Sequence, residues 1–151
     1  MGLDQYAHLR NRKINWKKYY SDDEEESKME QQDVFVWRKH ARLQTFMNNV
    51  WKEQNEREAK KRNKTPEHPM DLSCLGMNGG DEVYITREVV KDLKQAIEDK
   101  YWNHFCTDGF FWGQQFQEEA VKEYKEQDKK FVKWCEEQIE NKKVPIYTCS
   151  W

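Results

Sequence analysis

Apolar and polar positions alternate at the start of the chain. Leu3, Gln5, Ala7 and Leu9 fall on one side of an extended segment, and Asp4, Tyr6, His8 and Arg10 on the other. A period of two predicts a strand with one covered and one solvated face. From Val36 to about Ala59 the period becomes helical, because Leu43, Phe46, Met47, Val50 and Trp51 form one stripe. Beyond Trp51 this helix is polar all round, with Glu53–Arg57 and Glu56–Lys60 four residues apart, so its end is expected to project into solvent. A short strand over 82–85 then leads into a helix that Thr86 caps and that buries Val89, Val90, Leu93, Ala96 and Ile97. A third helix is expected over 118–141 on Val121, Tyr124, Phe131, Val132, Cys135 and Ile139, a stripe that Asp128 interrupts. Pro145 stops it, and IYTCSW closes the chain as a strand.

Two stretches break this pattern and read as insertions or loops, 11–32 and 53–80. NRKINWKKYY mixes cations with rings, and SDDEEES sets five carboxylates in a row, whose mutual repulsion favours a solvated loop. KTPEHPMDLSCLGMNGG carries Pro66, Pro69 and the Gly79-Gly80 pair, which mark a loop. The reading is α+β: one domain over 1–151, with three main helices packed on a small sheet that uses both chain termini.

Composition changes the picture of the core. Only 36% of the 151 residues are apolar and mean hydropathy is -1.22, yet there are seven Trp, seven Tyr and seven Phe. Each ring can bury roughly 150–250 Å², so a few large side chains are expected to replace many aliphatic ones. A net charge of -2 predicts no general attraction to nucleic acid or anionic membranes. No apolar run approaches the ~20 residues of a membrane span, and the start has no apolar leader, so a cytoplasmic protein is expected. In that compartment Cys74, Cys106, Cys135 and Cys149 read as free thiols.

Four groups of residues carry candidate chemistry. Trp37, Arg38 and Lys39 offer a ring, a planar five-donor fork and a compact charge. On a helix they point ~100° apart, so at most two join a site; the alternative packs Trp37 inward and pairs Arg38 with an acid. GFFWG, residues 109–113, sets Phe110, Phe111 and Trp112 between glycines. Two rings in the core and one exposed is one reading; stacking of Phe111 and Trp112 on a flat ligand or docking of a protein are the others. In the terminal segment Tyr147, Cys149 and Trp151 share one face, with Trp151 as an anchor, while Thr148 and Ser150 on the other offer hydroxyls at a pocket edge. Asp4 and Tyr6 share a strand face, as a carboxylate and a phenol at one site or as plain solvent surface. No paired carboxylate or histidine supports acid–base catalysis, so no catalytic residue is assigned. The spacings of His68, Cys74, His104 and Cys106 do not make a zinc site, and no metal or cofactor is expected.

MGLDQY, VFVWRKHARLQTFM, EVYITREVVKDL, GFFWG and YTCSW, in this order, resemble a widespread family of small bacteriophage and bacterial proteins. Its members typically begin MGLDMY, carry a WRKANAIHKWF-like helix and a GFFFG segment, and end in a YxSSW-like sequence. The likeness touches most of the chain outside 11–32 and 53–78. Where the family-like helix has Asn and His, this chain has Ala41 and Gln44, so a role for that histidine does not carry over. Such sequences are sometimes labelled phosphoglycerate kinase. That label is rejected, because the chain is too short for two lobes and has no glycine-rich phosphate loop followed by Lys and Ser or Thr.

What the resemblance implies is a phage-type accessory protein, with a host protein as its expected partner and a non-enzymatic binding role. A pocket for a nucleotide-like small molecule around Arg38, Lys39, Phe111 and Trp112 is the second expectation. Single-stranded nucleic acid bound through residues 10–20 is the third, since Arg10, Arg12, Lys13, Lys17 and Lys18 alternate with Trp16, Tyr19 and Tyr20.

Overall fold

The computed structural model describes residues 2–62, 76–106 and 114–150. Its order is β1 (Asp4–Leu9), α1 (Trp16–Tyr19), α2 (Glu24–Gln31), β2 (Phe35–Arg38), α3 (Ala41–Lys61), β3 (Val83–Tyr84), α4 (Arg87–Glu98), α5 (Gln114–Glu123), α6 (Lys125–Glu140) and β4 (Pro145–Ser150). The fold is α+β. One four-stranded antiparallel sheet runs β2-β1-β4-β3, so the strands nearest the two termini form its central pair.

Alternation in β1 sends Leu3, Gln5 and Ala7 inward, all fully buried, and Asp4, Tyr6 and His8 outward. Tyr147 and Cys149 of β4 face inward with them, while Thr148 and Ser150 face outward. Against the inner face lies an aromatic core. Phe35 and Trp37 of β2 meet Phe131 of α6 with centroids 5.2 and 5.1 Å away, and Trp134 lies 5.3 Å from Phe35. Large rings therefore do knit the sheet to α6, as composition suggests.

Three expectations need correction. Trp37 and Arg38 lie on a strand, not a helix. The run Val34-Phe35-Val36-Trp37 has β-branched and aromatic residues, and left-handed turns at Asp33 (φ 59) and Lys39 (φ 53) bound it. The acidic run is helical rather than a loop. Asp23 Oδ1 accepts from the backbone N–H of Glu25 and Glu26, and the acids that follow sit at the positive end of α2, where they are favoured. The third helix is two, α5 and α6, with the break at Tyr124. The described residues thus hold six helices, of which α1 and α2 fall inside the stretch read as an insertion. A fourth difference concerns sulfur: Cys106 is disulfide-bonded, whereas Cys135 and Cys149 are free and buried.

Both outer edges of the sheet are closed by side chains. On β2, Gln127 Nε2 donates to Val36 O at 2.7 Å, and the Arg38 N–H donates to Tyr124 Oη at 3.0 Å. On β3, the Gln54 amide donates to Tyr84 O at 2.8 Å and accepts from Tyr84 N at 3.1 Å. Each amide or hydroxyl takes the place of a neighbouring strand's peptide, which blunts pairing with another chain.

Candidate functional site

Strand register assembles the outward face. Arg38, Asp4 and Ser150 lie in one row across β2, β1 and β4, and Val36, Tyr6 and Thr148 in the next. Arg38 Nε donates to Asp4 Oδ1 at 3.0 Å, yet the Arg38 side chain remains 78% exposed and that of Asp4 37%. Asn15 caps α1 by accepting from Lys18 N, and this short helix lays Trp16 over Tyr6 with ring centroids 5.0 Å apart. Tyr19 meets Trp16 edge-on at 5.1 Å, and Tyr20 stacks near it at 6.2 Å while staying 69% exposed. Between Trp16, Tyr6, Thr148 and Ser150 runs an open cleft of about 310 Å³.

The electrostatics of this face favour hydrogen bonding. Burial pushes the Tyr6 phenol above its ordinary range, and the Asp4 carboxylate adds to the shift. Tyr6 therefore keeps its proton near neutral pH and offers a donor beside a cation and a carboxylate. Burial also raises Tyr19, with Tyr20 contributing. Thr148 donates its hydroxyl to Gly79 O at 3.3 Å, which ties the strand to the loop before β3.

Of the ten residues singled out in the sequence, Asp4, Tyr6, Arg38, Thr148 and Ser150 come together here. Trp37 does not, because alternation turns it to the opposite face. Lys39 is exposed just past the end of β2. Phe111, Trp112 and Trp151 lie outside the described residues, as does the rest of GFFWG. Sequence reasoning passed over Trp16 and Tyr20 as parts of this face, having assigned them only to a basic segment. Their indole and phenol rings one turn apart were the available clue.

The inner face carries a polar node that the sequence analysis missed. Asp128 accepts three hydrogen bonds: from Trp37 Nε1 at 2.8 Å, Tyr101 Oη at 2.9 Å and His40 Nε2 at 2.9 Å. All four residues are at most 2% exposed. The His40 ring stacks on Tyr124 at 5.4 Å, and its Nδ1 is buried without a hydrogen-bond partner. Burial, then the Asp128 charge, pushes the Tyr101 phenol far up. Nearby, Gln5 donates to His40 O at 3.1 Å and Tyr147 Oη at 2.8 Å and accepts from His40 N at 2.8 Å. Tyr147 in turn donates to Gln44 Oε1 at 2.6 Å. A carboxylate saturated by three donors pins β2, the start of α3 and the turn after α4 to α6; it is an anchor rather than a free base. The clue was an acid lying on a helix's apolar stripe, since a buried carboxylate must find donors.

Among the described residues no group of three or more His, Cys, Asp or Glu could hold a metal ion, and no helix is long and apolar enough to cross a membrane. Comparison with known proteins finds no family model, no curated protein and no solved structure that matches this chain.

Proposed function

We propose that this is a non-enzymatic binding protein that docks another protein on the outward face of its sheet. The observation that carries the reading is the cluster Tyr6, Trp16, Tyr20 and Arg38. Trp, Tyr and Arg are the side chains that most often dominate binding energy at protein interfaces. Here Tyr6 and Trp16 line one open cleft, with Tyr20 stacked near Trp16 and Arg38 in the adjacent row of the sheet. With both sheet edges closed by Gln54, Gln127 and Tyr124, docking by strand addition is disfavoured. The resemblance to small phage proteins makes a cytoplasmic host protein the expected partner.

Nucleic acid is the weaker occupant. Arg12 is spent on the carbonyls of Gln32 and Glu30, the latter at 2.7 Å, and Asn15 N donates to Glu30 Oε1 at 2.7 Å. The basic segment is thus locked to the acidic helix α2. Rings at 5–6 Å from one another form a ridge, which leaves no series of separate slots for bases.

The test is capture from host lysate on immobilised protein, with Tyr20→Ala/Arg38→Glu as the matched control. A specific retained protein that is lost with the double variant, while the melting curve is kept, supports the reading. Equal retention on both, or no retained protein, contradicts it. Salt-sensitive retention of RNA or single-stranded DNA would transfer the face to nucleic acid.

A further inference from the structure

On the opposite side of the molecule, we infer that Arg42 marks a binding site for a small phosphate-bearing molecule. This site is separate from the outward sheet face and does not rest on the function proposed for it.

Arg42 is 6% exposed and lies in the first turn of α3. Its Nη1 donates to Lys100 O at 3.1 Å, and its guanidinium lies 5.9 Å from the Phe105 centroid. Nε is buried with no hydrogen-bond partner, and no carboxylate among the described residues forms an ion pair with it. A guanidinium cannot shed its proton, so a nearly buried positive charge here has no counter-ion among the described residues. Groups of that kind are rare unless something pairs with them.

The same side chain lines a cleft of about 470 Å³ between the end of α4 and the helices α5 and α6. Lys100, Lys122 and Lys125 line it too. An adjoining cleft of about 500 Å³, which Glu98 also lines, adds Lys133 together with Lys94 and Lys129, the last two paired with Glu136 and Glu126 at 3.9 Å each. Acids are present as well. Asp128 is already taken by three donors, Asp99 accepts from Gln95 Nε2 at 3.2 Å, and Glu118 stands on α5. α3 begins without a side-chain cap and has no acid in its first turn to neutralise Arg42. A planar fork with several lysines around it suits a phosphate dianion better than a single carboxylate. Trp102 lines the cleft at 75% exposure and offers a flat face to an aromatic group on the same ligand.

Backbone strain falls at the same place. Lys100 and Tyr101 both have positive φ, of 55°, which closes α4 in a turn where Tyr101 N donates to Ala96 O at 2.7 Å. Two consecutive left-handed non-glycine residues aim the Lys100 carbonyl at Arg42 and the Tyr101 ring at Asp128.

The probes are inorganic phosphate, pyrophosphate, adenosine 5′-monophosphate and adenosine, at low salt, by thermal shift and calorimetry. The phosphate-bearing probes should raise Tm by about 3–6 °C at tenfold excess over Kd, and adenosine should not. Arg42→Met should abolish the shift, while the ligand-free variant melts at or above the parent, because an unpaired buried charge has gone. A purely structural arginine would give the reverse, a lower Tm. Lys100→Gln/Lys125→Gln, which leaves Arg42 in place, should weaken the monophosphate about tenfold. No shift with any phosphate-bearing probe overturns the inference. So does a shift that survives Arg42→Met, or, if that variant fails to fold, unchanged affinity in the lysine double variant.

Discussion

The indole N–H of Trp37 donates to the carboxylate of Asp128 at 2.8 Å across 91 residues of chain. Its neighbour Arg38 points the other way and pairs with Asp4. One peptide bond therefore separates the residue that anchors the core from the residue that serves the proposed docking face. Strand alternation alone makes that division.

Removing the shared acceptor should be severe. Asp128→Ala leaves three buried donors without a partner, and a loss of about 3–5 kcal/mol is expected in urea melts. Tyr101→Phe, which deletes one donor, should cost about 1 kcal/mol. Because Trp37 and Tyr101 share one carboxylate, a double-mutant cycle between Trp37→Phe and Tyr101→Phe should show a coupling of about 0.5 kcal/mol or more. Strict additivity would mean the node does not act as a unit.

Edge closure by Gln54 predicts a local effect. Gln54→Ala should cost only about 1 kcal/mol, since the pair is largely exposed. The Tyr84 amide should nonetheless lose its protection from hydrogen exchange while β1 and β4 keep theirs. Equal exchange in parent and variant would show that the amide does not stand in for a strand.

How much of this was legible in the sequence differs by level. β1, β4, the stripe of α3 and the Thr86 cap of α4 follow from period and cap chemistry, because local pattern and tertiary burial agree there. β2 was misread, since four strand residues directly before a helix blur into the helical pattern and only the turns at Asp33 and Lys39 separate them. α2 was misread because repulsion among its acids was weighed without the Asp23 cap and the helix dipole. At the candidate site, alternation correctly grouped Asp4 with Tyr6 and Thr148 with Ser150, but nothing local says that β1 lies between β2 and β4. The Asp128 node joins residues up to 91 positions apart and lies beyond any local pattern. So does Arg42, whose neighbours Lys100 and Lys125 come from other elements.

Alkaline pH should unfold the protein early. Burial pushes the Cys149 thiol up to about 11 and raises the Tyr101 and Tyr147 phenols well above their ordinary value. In each case the neutral form is favoured in the fold. The stability they contribute is therefore fully present below the unfolded pKa values of about 8.5 for Cys and 10 for Tyr, and is lost as pH rises through the folded ones. Tm should stay level up to about pH 8 and fall above about pH 9, more steeply beyond about pH 10. Cys149→Ala should flatten the first part of that fall. A Tm independent of pH from 8 to 11 would contradict the burial of these groups.

A cheap stabilisation is available at the end of α6. Lys142 has φ 61 and sits where glycine is favoured, with its N–H bonded to Ile139 O and the next N–H to Gln138 O. Lys142→Gly should raise stability by about 0.5–1 kcal/mol in urea melts by relieving the left-handed conformation. A loss would mean that the lysine side chain contributes more than its backbone costs.

The most direct measurement compares neighbours: Tm and partner retention for Trp37→Phe and Arg38→Ala, side by side. The expected result is a split. Arg38→Ala keeps Tm within about 2 °C, as an exposed pair should, yet loses the retained partner, whereas Trp37→Phe lowers Tm and retains the partner in the cold. If both substitutions moved Tm and retention together, or if Arg38→Ala changed neither, the two-faced sheet would not be the basis of binding.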